Sequence, residues 1–525
     1  MTDDVGSMTR RRFLAVGAPV AGLVALPRLP GAWAATSSAG DDPFTLGVAS
    51  GDPRPTSVVL WTRLARRPLQ PDGGMGTRDI RVEWQVFASD TGKIVESGAV
   101  SAQAASAHSV HVVARNLQPG RWYHYRFRAL GFVSPRGRTR TLPPSDSLPS
   151  SLRLGTVSCQ NYQEGFYTAY GHMADEDLDL VLHMGDYIYE HGRATQDRPR
   201  YHQGGECLTL DDYRVRHALY KSDTDLQRAH RRFPWVVTFD DHEVDNDWTS
   251  ESNASGQSQT AFRRRQAAAF RAYYEHMPLR RSSMPTGPDM PIYRRVNYGA
   301  LARISVLDTR QYRSAHACGV DANRPWALMC DEAANLDRTM TGPDQERWLL
   351  AGMNQTARWN VIAQQVLMAR WQRVGVEHVR FNMDRWDGYP AARERIFNHL
   401  ALTSPSNPVV LTGDAHVNAL AHLKRNFNDP LSPTLATEIV TTSVSSAGNG
   451  SNATDEMAER QVIDPHLVFV NRQRGYVRHV VTPSTWRADY RVVPYVTRPG
   501  APIKTRASWV IRDGAGGAEE IAAVP

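Results

Sequence analysis

The segment from Pro234 to Trp248 carries a dense set of potential metal ligands. Its sequence, PWVVTFDDHEVDNDW, begins as an apolar, strand-like stretch and ends with five acidic residues, a histidine and an asparagine. Carboxylate oxygens suit hard cations such as Ca²⁺, and imidazole suits transition metals. The segment therefore predicts a metal site at the end of a buried strand.

Three other apolar segments end in residues of similar chemistry. LDLVLHMGDYIYE leads into Gly185 and Asp186, PVVLTGDAHVN leads into Asp414 and His416, and SLRLGTVSC ends at Cys159. A single Gly-Asp pair is usually a turn, but several such strand ends in one chain indicate a shared site. Cys159 stands where the other strands have aspartates, so we favour a thiolate ligand over a disulfide-bonded or merely buried cysteine.

Ligands of this kind suit the hydrolysis of a phosphate ester. The charge of the ester repels hydroxide, and two metal ions ~3.5–4 Å apart can bind the attacking and the leaving oxygen together. Such a site needs a carboxylate shared between the ions. Asp186 is the expected bridge, because Gly185 lets the backbone turn tightly. Asp241, Asp414 and His416 are expected to supply further ligands.

The order of these motifs resembles that of calcineurin-type metallophosphatases, and among them the PhoD-type alkaline phosphatases and related exported phosphodiesterases. The resemblance covers nearly the whole chain after residue 34, from GVASGDP at 47–53 to WRADYRVV at 486–493. Its central motifs are SCQ at 158–160, GDYIYE at 185–190, DDHEVDNDW at 240–248 and GDAH at 413–416.

The resemblance implies two kinds of bound metal ion. The family's ferric ion is held by a thiolate, an aspartate and a tyrosinate, and the matching residues are Cys159, Asp186 and Tyr189. The family's calcium ions take oxygen ligands, and the matching candidates are Asp186, Asp241 and Asp414. The expected cofactors are therefore Fe³⁺ and Ca²⁺.

Two histidines have roles that the residue types leave open. His416 completes a ligand set or contacts phosphate. His242 can protonate the leaving group or only hydrogen-bond a carboxylate. We expect His242 to be catalytic, because its motif resembles the Asn-His-Glu/Asp box in which the histidine faces the substrate. Asp241 replaces the asparagine of that box, and the added negative charge suits calcium.

Two arginines follow other predicted strands. Arg385, in NMDRWDGYP at 382–390, could bind phosphate oxygens bidentately or be an ordinary surface arginine. We expect Arg310 and its neighbour Asp308 to form structural salt bridges or to support the ligands. The same supporting or surface role is expected for Glu243, Asp245 and Asp247.

The fold class predicted from the sequence is α/β with an N-terminal antiparallel β-sandwich. Residues 42–143 contain short strand-like segments separated by Pro, Gly and Asp, and LQPG at 117–120 begins a stretch that resembles a fibronectin-III-like module. Residues 141–151 are rich in Pro and Ser, as a linker should be. Residues 152–510 alternate strand-like and helical segments, which predicts a layered α/β metallophosphatase domain. We therefore expect two domains.

Apolar periodicity locates the elements of the second domain. The predicted helices are Thr209–Arg232, Thr260–Met277, Gly342–Thr356 and Ala391–Leu402. The predicted strands are Leu152–Cys159, Leu178–Gly185, Pro234–Phe239, Leu301–Leu307, Trp359–Val366, Pro408–Thr412, Glu438–Ser445 and two segments between Gly475 and Val493.

Residues 1–34 resemble a twin-arginine signal peptide. TRRRFL at 9–14 precedes a moderately apolar stretch, and AWA at 32–34 offers a small-x-small cleavage site. Three prolines interrupt that stretch, so we do not expect a membrane anchor. Export by the twin-arginine machinery to the periplasm, the cell envelope or the medium is expected. In such an oxidising compartment, Cys318 and Cys330 are the expected disulfide pair, and the pairing of Cys207 stays open.

The charge distribution and the motifs together lead to one expected function and two alternatives. The formal net charge is +7 without a block of like charges, which does not predict nucleic-acid binding. We expect an exported metal-dependent phosphoesterase that hydrolyses phosphate monoesters, diesters or both with metal-activated hydroxide. A phospholipase-D-like phosphodiesterase acting on phospholipids and a noncatalytic surface-binding protein are the alternatives.

Overall fold

A computed structural model describes residues 42–250, 252–253, 256–321, 323–354, 356–375 and 378–523. The predicted signal peptide at 1–34 lies outside the described residues. The described chain mixes β-sheets and α-helices and begins with antiparallel strands, so the predicted fold class is confirmed. Among the described helices, each is too short or too polar to cross a bilayer.

Two sheets form the N-terminal β-sandwich. The first consists of the antiparallel strands Ile94–Ala102, Ile80–Ala88, Trp122–Ala129 and Phe132–Val133, with Gly137–Arg140 also paired to Trp122–Ala129. The second consists of Val48–Arg54, Ser57–Arg63 and Ser109–Ala114. Successive side chains of a strand point to opposite faces, so every second residue of each sheet faces its partner. The shared core includes Val58, Leu60, Trp84, Val86 and Phe127.

The second sandwich sheet continues into the α/β region. Val48–Arg54 pairs in parallel with Pro234–Thr238. The result is a ten-stranded sheet in the order Ala518–Ile521, Lys504–Arg512, Thr485–Val493, Arg474–Val481, Leu152–Val157, Leu180–Met184, Pro234–Thr238, Val48–Arg54, Ser57–Arg63 and Ser109–Ala114. The sequence predicted two domains with a linker at 141–151, and in the structure backbone hydrogen bonds also run between the two regions within this sheet. The domain boundaries 42–143 and 152–510 stay predictions.

A seven-stranded sheet faces the ten-stranded one. Its order is Arg294–Tyr298, Ala302–Val306, Trp359–Gln364, Pro408–Thr412, Thr434–Val440, Asn418–Lys424 and Leu467–Asn471. A small sheet of Trp326–Ala327, Val379–Asn382 and Arg373–Val374 lies apart. The two large sheets share an apolar core, in which Leu182 and Val236 of one sheet join Val361 and Leu411 of the other. This packing is the layered arrangement that the sequence predicted.

Helices pack against the outer faces of the two large sheets. The α-helices are Thr168–Met173, Leu210–Lys221, Thr224–Arg232, Gln259–His276, Gly342–Gly352, Pro390–Thr403 and Thr454–Ile463. Single 3₁₀ turns occur at Ala104–Ser106, Tyr162–Glu164, Arg281–Ser283 and Trp386–Gly388. One outer core contains Tyr220, Leu226 and Phe270, and the other contains Leu349, Ile396 and Phe397.

One predicted helix is two helices in the structure. The segment Thr209–Arg232 divides at Asp223, whose carboxylate accepts hydrogen bonds from the backbone N–H groups of Asp225 and Leu226. An aspartate in that position is a strong N-cap and starts a new helix. The apolar periodicity continues across the break, so it did not reveal the cap.

One predicted strand is displaced. The segment expected at Glu438–Ser445 is a strand at Thr434–Val440, and the chain after it forms a loop. That loop turns towards the candidate site, because the Ser446 hydroxyl donates a hydrogen bond to the Tyr189 hydroxyl at 2.7 Å.

The predicted disulfide is present. Cys318 and Cys330 are bonded, whereas Cys159 and Cys207 are free and buried. Cys207 lies in the apolar core beneath the ten-stranded sheet. The free state of Cys159 leaves its thiol available as a ligand.

Candidate metal centre

Parallel strands bring their carboxyl ends to one edge of the two large sheets. Leu152–Val157, Leu180–Met184 and Pro234–Thr238 lie side by side in the ten-stranded sheet, and Pro408–Thr412 lies in the facing sheet. Residues that follow such strand ends meet at a common edge. The loops after these four strands carry, respectively, Cys159, Asp186, Asp241 and Asp414.

The backbone is left-handed at four of the predicted site residues. The φ angles are 58° at Cys159, 57° at Asp186, 56° at Asp414 and 51° at His416. Each such residue other than glycine costs about 1–3 kcal/mol and persists only where the surrounding structure holds it. This concentration of strain is typical of a functional site.

Gly185 lets two strand ends approach closely. It has a φ of +102°, and a Cβ at this position would lie 2.4 Å from the Cβ of Asp240. Real Cβ atoms essentially never approach so closely. The glycine therefore sets the separation between the loops that carry Asp186 and Asp241.

The Tyr189 hydroxyl lies at the centre of one group of side chains. It donates to Asp186 Oδ2 at 3.0 Å, lies 3.1 Å from His416 Nε2 and accepts a hydrogen bond from Ser446. The Sγ of Cys159 belongs to the same group, because one ligand atom each from Cys159, Asp186 and His416 lie within 4.8 Å of one another. The structure thus brings together the thiol, the carboxylate and the phenol that the sequence singled out.

A second group consists of carboxylates around a buried arginine. Ligand oxygens of Asp240, Asp241 and Asp414 lie within 4.8 Å of one another. Arg310 Nε donates to Asp240 Oδ1 at 2.6 Å, and one terminal nitrogen donates to Asp384 Oδ1 at 2.7 Å. The other terminal nitrogen is 3.4 Å from Asp241 Oδ1 and 3.9 Å from Asp414 Oδ1. One guanidinium therefore faces four carboxylates.

Several oxygens of these groups suit bound cations. Within the described residues, three buried carboxylate oxygens have no hydrogen-bond partner: Asp186 Oδ1, Asp240 Oδ2 and Asp241 Oδ1. Burial, and then the charge of Asp241, raise the pKa of Asp186 well above its ordinary value. An unpaired buried carboxylate is costly, and a cation offsets that cost. The carboxylates, thiol, phenol and imidazole present here fit metal ions in chemistry and in spacing.

His242 is surrounded by carboxylates. Its Nδ1 is 2.8 Å from Glu190 Oε2, its Nε2 is 3.9 Å from Asp241 Oδ2, and its ring stacks on Tyr189 at a centroid distance of 4.0 Å. Burial alone would lower the pKa of His242, but Asp241 and then Glu190 outweigh it and raise the pKa well above its ordinary value. Burial would raise the pKa of Glu190, but the His242 charge lowers it to about 2.

Arg385 lies at the border of the carboxylate group. Its Nε is 3.5 Å from Asp414 Oδ2 and, within the described part of the chain, has no hydrogen-bond partner. Its side chain is 16% exposed. The guanidinium is therefore reachable from solvent while lying beside the predicted ligands, which is the position that a phosphate contact requires.

Some residues of the site were not assigned from the sequence. Asp240 and Glu190 stand inside the quoted motifs, so their position next to predicted ligands was an available signal. Asp384 also stands in a quoted motif, beside Arg385, but its contact with Arg310 joins residues 74 positions apart and no local pattern indicates it. Glu243 joins the loops that follow Leu180–Met184 and Pro234–Thr238. Its carboxylate accepts hydrogen bonds from the backbone N–H groups of Asp186, Tyr187 and Asp240.

Comparison with known proteins gives a consistent result along the chain. The family model described as PhoD-like phosphatase matches residues 154–490, and the one described as PhoD-like phosphatase, N-terminal domain, matches residues 31–143. Alkaline phosphatase D of Bacillus subtilis (strain 168) is 47% identical over 512 residues, which cover 95% of this chain and 87% of that protein. A solved structure described as the structure of PhoD aligns with a TM-score of 0.88 and 46% identity, covering 93% of this chain and 94% of that one. The chain therefore belongs to the PhoD-like phosphatase family, and it is a phosphoesterase.

Proposed function

We propose that this phosphoesterase works outside the cytoplasm with Fe³⁺ and Ca²⁺ in the candidate metal centre. The observation that carries the proposal is the set of three buried carboxylate oxygens that make no hydrogen bond within the described part of the chain, beside a free thiol and a phenol. Fe³⁺ would be held by Cys159, Asp186 and Tyr189, because thiolate and phenolate ligands suit a transition metal better than calcium. Ca²⁺ would take oxygen ligands from Asp186, Asp241 and Asp414. His416 would complete a ligand set or contact phosphate.

Residues of the chain would position the ester and move the proton. Bound ions of this kind polarise the phosphoryl group and activate water. His242 would protonate the leaving oxygen, since Glu190 holds its Nδ1 and the raised pKa keeps the ring charged at neutral pH. Arg385 would bind two phosphoryl oxygens bidentately. Arg310 would hold the carboxylate of Asp240 in place.

The substrates proposed are phosphate monoesters, diesters or both, with phospholipids as the alternative class. Membership of a phosphatase family argues against the noncatalytic surface-binding alternative. The twin-arginine motif at 9–14 supports export by the twin-arginine machinery. We propose no nucleic-acid partner, because basic residues are not concentrated into a run along the chain.

The first test replaces the proposed bridging ligand. D186N should lose nearly all turnover and retain less metal than wild type by elemental analysis, because an amide oxygen carries no charge. D344N is the matched control, since Asp344 is exposed and lies on the helix Gly342–Gly352. Full activity and full metal content in D186N would refute the assignment.

A second test concerns the iron ligands. A phenolate or thiolate bound to Fe³⁺ gives a visible charge-transfer band, so the iron-loaded protein should be coloured. Y189F should shift or weaken that band. A pure, iron-loaded wild-type sample without visible absorption would rule out Tyr189 as a ligand.

A third test separates the substrate classes. Rates on p-nitrophenyl phosphate and on its bis-ester, measured with the same preparation, compare monoester and diester turnover directly. A preference for the bis-ester together with hydrolysis of phospholipid vesicles would favour the phospholipase-D-like alternative.

A further inference from the structure

A basic pocket lies where the N-terminal sandwich meets the helix Thr224–Arg232. Its volume is about 430 Å³. Three segments that are distant in sequence line it, and their residues are His124, Arg136, Arg138, Ala174, Asp175, Arg228, Arg231 and Arg232. We call it the arginine pocket.

Positive charge in the arginine pocket is only partly balanced by neighbouring carboxylates, since Asp179 acts on Arg138 but does not outweigh burial and Arg232. Asp175 pairs with Arg228. Among the described residues, the remaining four arginines have no carboxylate within 4 Å; they are Arg136, Arg138, Arg231 and Arg232. The pKa of His124 is lowered by burial and then by the Arg136 charge, so this histidine supplies no negative charge and adds little positive charge to the pocket.

The arginines lie close enough to repel one another. Burial, and then the charge of Arg232, lower the pKa of Arg138 to about 10. The Arg138 guanidinium is also fixed, 3.4 Å above the ring of Trp122. Basic residues in the last turn of a helix favour the helix dipole, which would account for Arg231 and Arg232 alone. It does not account for the guanidinium groups that the sandwich brings to the same pocket.

The arginine pocket is separate from the candidate metal centre. Arg232 comes just before the amino end of the strand Pro234–Thr238, whereas Asp241 follows its carboxyl end. A five-residue strand spans about 16 Å at ~3.3 Å per residue. An anion bound by the arginines would therefore not contact the metal ligands.

We propose that the arginine pocket binds a compact polyanion that carries two or more phosphate or sulfate groups. Guanidinium groups bind such oxyanions through paired, charge-assisted hydrogen bonds. The four arginines without carboxylate partners match several negative charges better than one, and the pocket has room for more than a single phosphate. This site goes beyond the phosphoesterase reaction and does not depend on the proposed metal assignment.

Calorimetry with sucrose octasulfate tests the proposal on the full mature chain. This probe is compact and polyanionic and carries no phosphate ester to hydrolyse. At fixed ionic strength we expect one equivalent to bind, with inorganic sulfate at least about 100-fold weaker. R136Q/R231Q should bind the octasulfate about 100-fold more weakly, at about tenfold for each charge-assisted contact removed.

The matched control is R66Q/R498Q, which removes the same net charge from two exposed arginines elsewhere. It should change the octasulfate affinity by less than about threefold, because screened charges at a distance contribute little. Equal losses in both double variants would show a general surface effect and overturn the proposal. Absence of binding to wild type, or full displacement of the octasulfate by p-nitrophenyl phosphate, would overturn it as well.

Discussion

Replacing Gly185 by alanine should separate two strand ends of the metal centre. The added Cβ would lie 2.4 Å from Asp240 Cβ and 2.6 Å from the Asp240 backbone nitrogen. One neighbour is a backbone atom and the other is the first side-chain carbon of the same buried residue, so neither is the far end of a flexible side chain. Because carbon atoms pack at about 3.5–4 Å, the loops that carry Asp186 and Asp241 must move apart by about 1–1.5 Å.

The expected effect has a stability part and an activity part. Alanine at a φ of +102° costs about 1–3 kcal/mol of backbone strain, and overpacking costs about 1–3 kcal/mol more. Metal ligands tolerate only about 0.2 Å of displacement. A shift of about 1 Å in a catalytic group can cost about 100-fold in rate, and we expect kcat to fall by at least that factor.

The assay measures kcat on p-nitrophenyl phosphate, bound metal by elemental analysis, and the urea midpoint. G500A is the matched control, since Gly500 has a φ of +81° and nothing within 4 Å of its added Cβ. G500A should show the cost of backbone strain without loss of activity. If folded G185A kept its metals and turned over within about threefold of G500A, Gly185 would not set the separation of the two strand ends.

Two further variants test buried charges. R310M removes the cation that Asp240 and Asp384 share. The free energy of unfolding of the metal-free protein should therefore fall by about 3–5 kcal/mol. An unchanged urea midpoint would contradict this. Burial lowers the pKa of Lys221 from 10.5 to about 7, so the unfolded state binds more protons between these values and wild-type stability should rise with pH across that window. K221M should lack that rise in urea midpoints; parallel pH profiles for the two proteins would refute the argument.

Local signals were sufficient to predict the strands that carry the candidate site and the residues at their ends. Pro408–Thr412 has the predicted bounds, and Asp186 and Asp414 follow their strands as expected. These features depend on a few neighbouring residues, namely an apolar run followed by a residue that turns the chain. The residue types and spacing within each motif were therefore sufficient to predict most residues of the candidate site.

Contacts between distant segments were not predictable in the same way. The pairing of Val48–Arg54 with Pro234–Thr238 joins segments almost 200 residues apart, and no local pattern marks it. The same holds for Arg310, whose surroundings arise only when four loops meet. The sequence suggested that this arginine forms a structural salt bridge or supports the ligands, but it could not indicate that the partners would be Asp240 and Asp384.

The continuous sheet gives a physical reason why the strained centre can persist. The strand Pro234–Thr238 is hydrogen-bonded on one side to Leu180–Met184 and on the other to Val48–Arg54, so it is not an edge strand. A strand held on both sides cannot shift to relieve repulsion among the carboxylates at its end. The free energy of the two packed sheets thus offsets the left-handed residues and unpartnered oxygens at their edge. Cations bound there would remove the repulsion, and the site would gain stability as well as its chemistry.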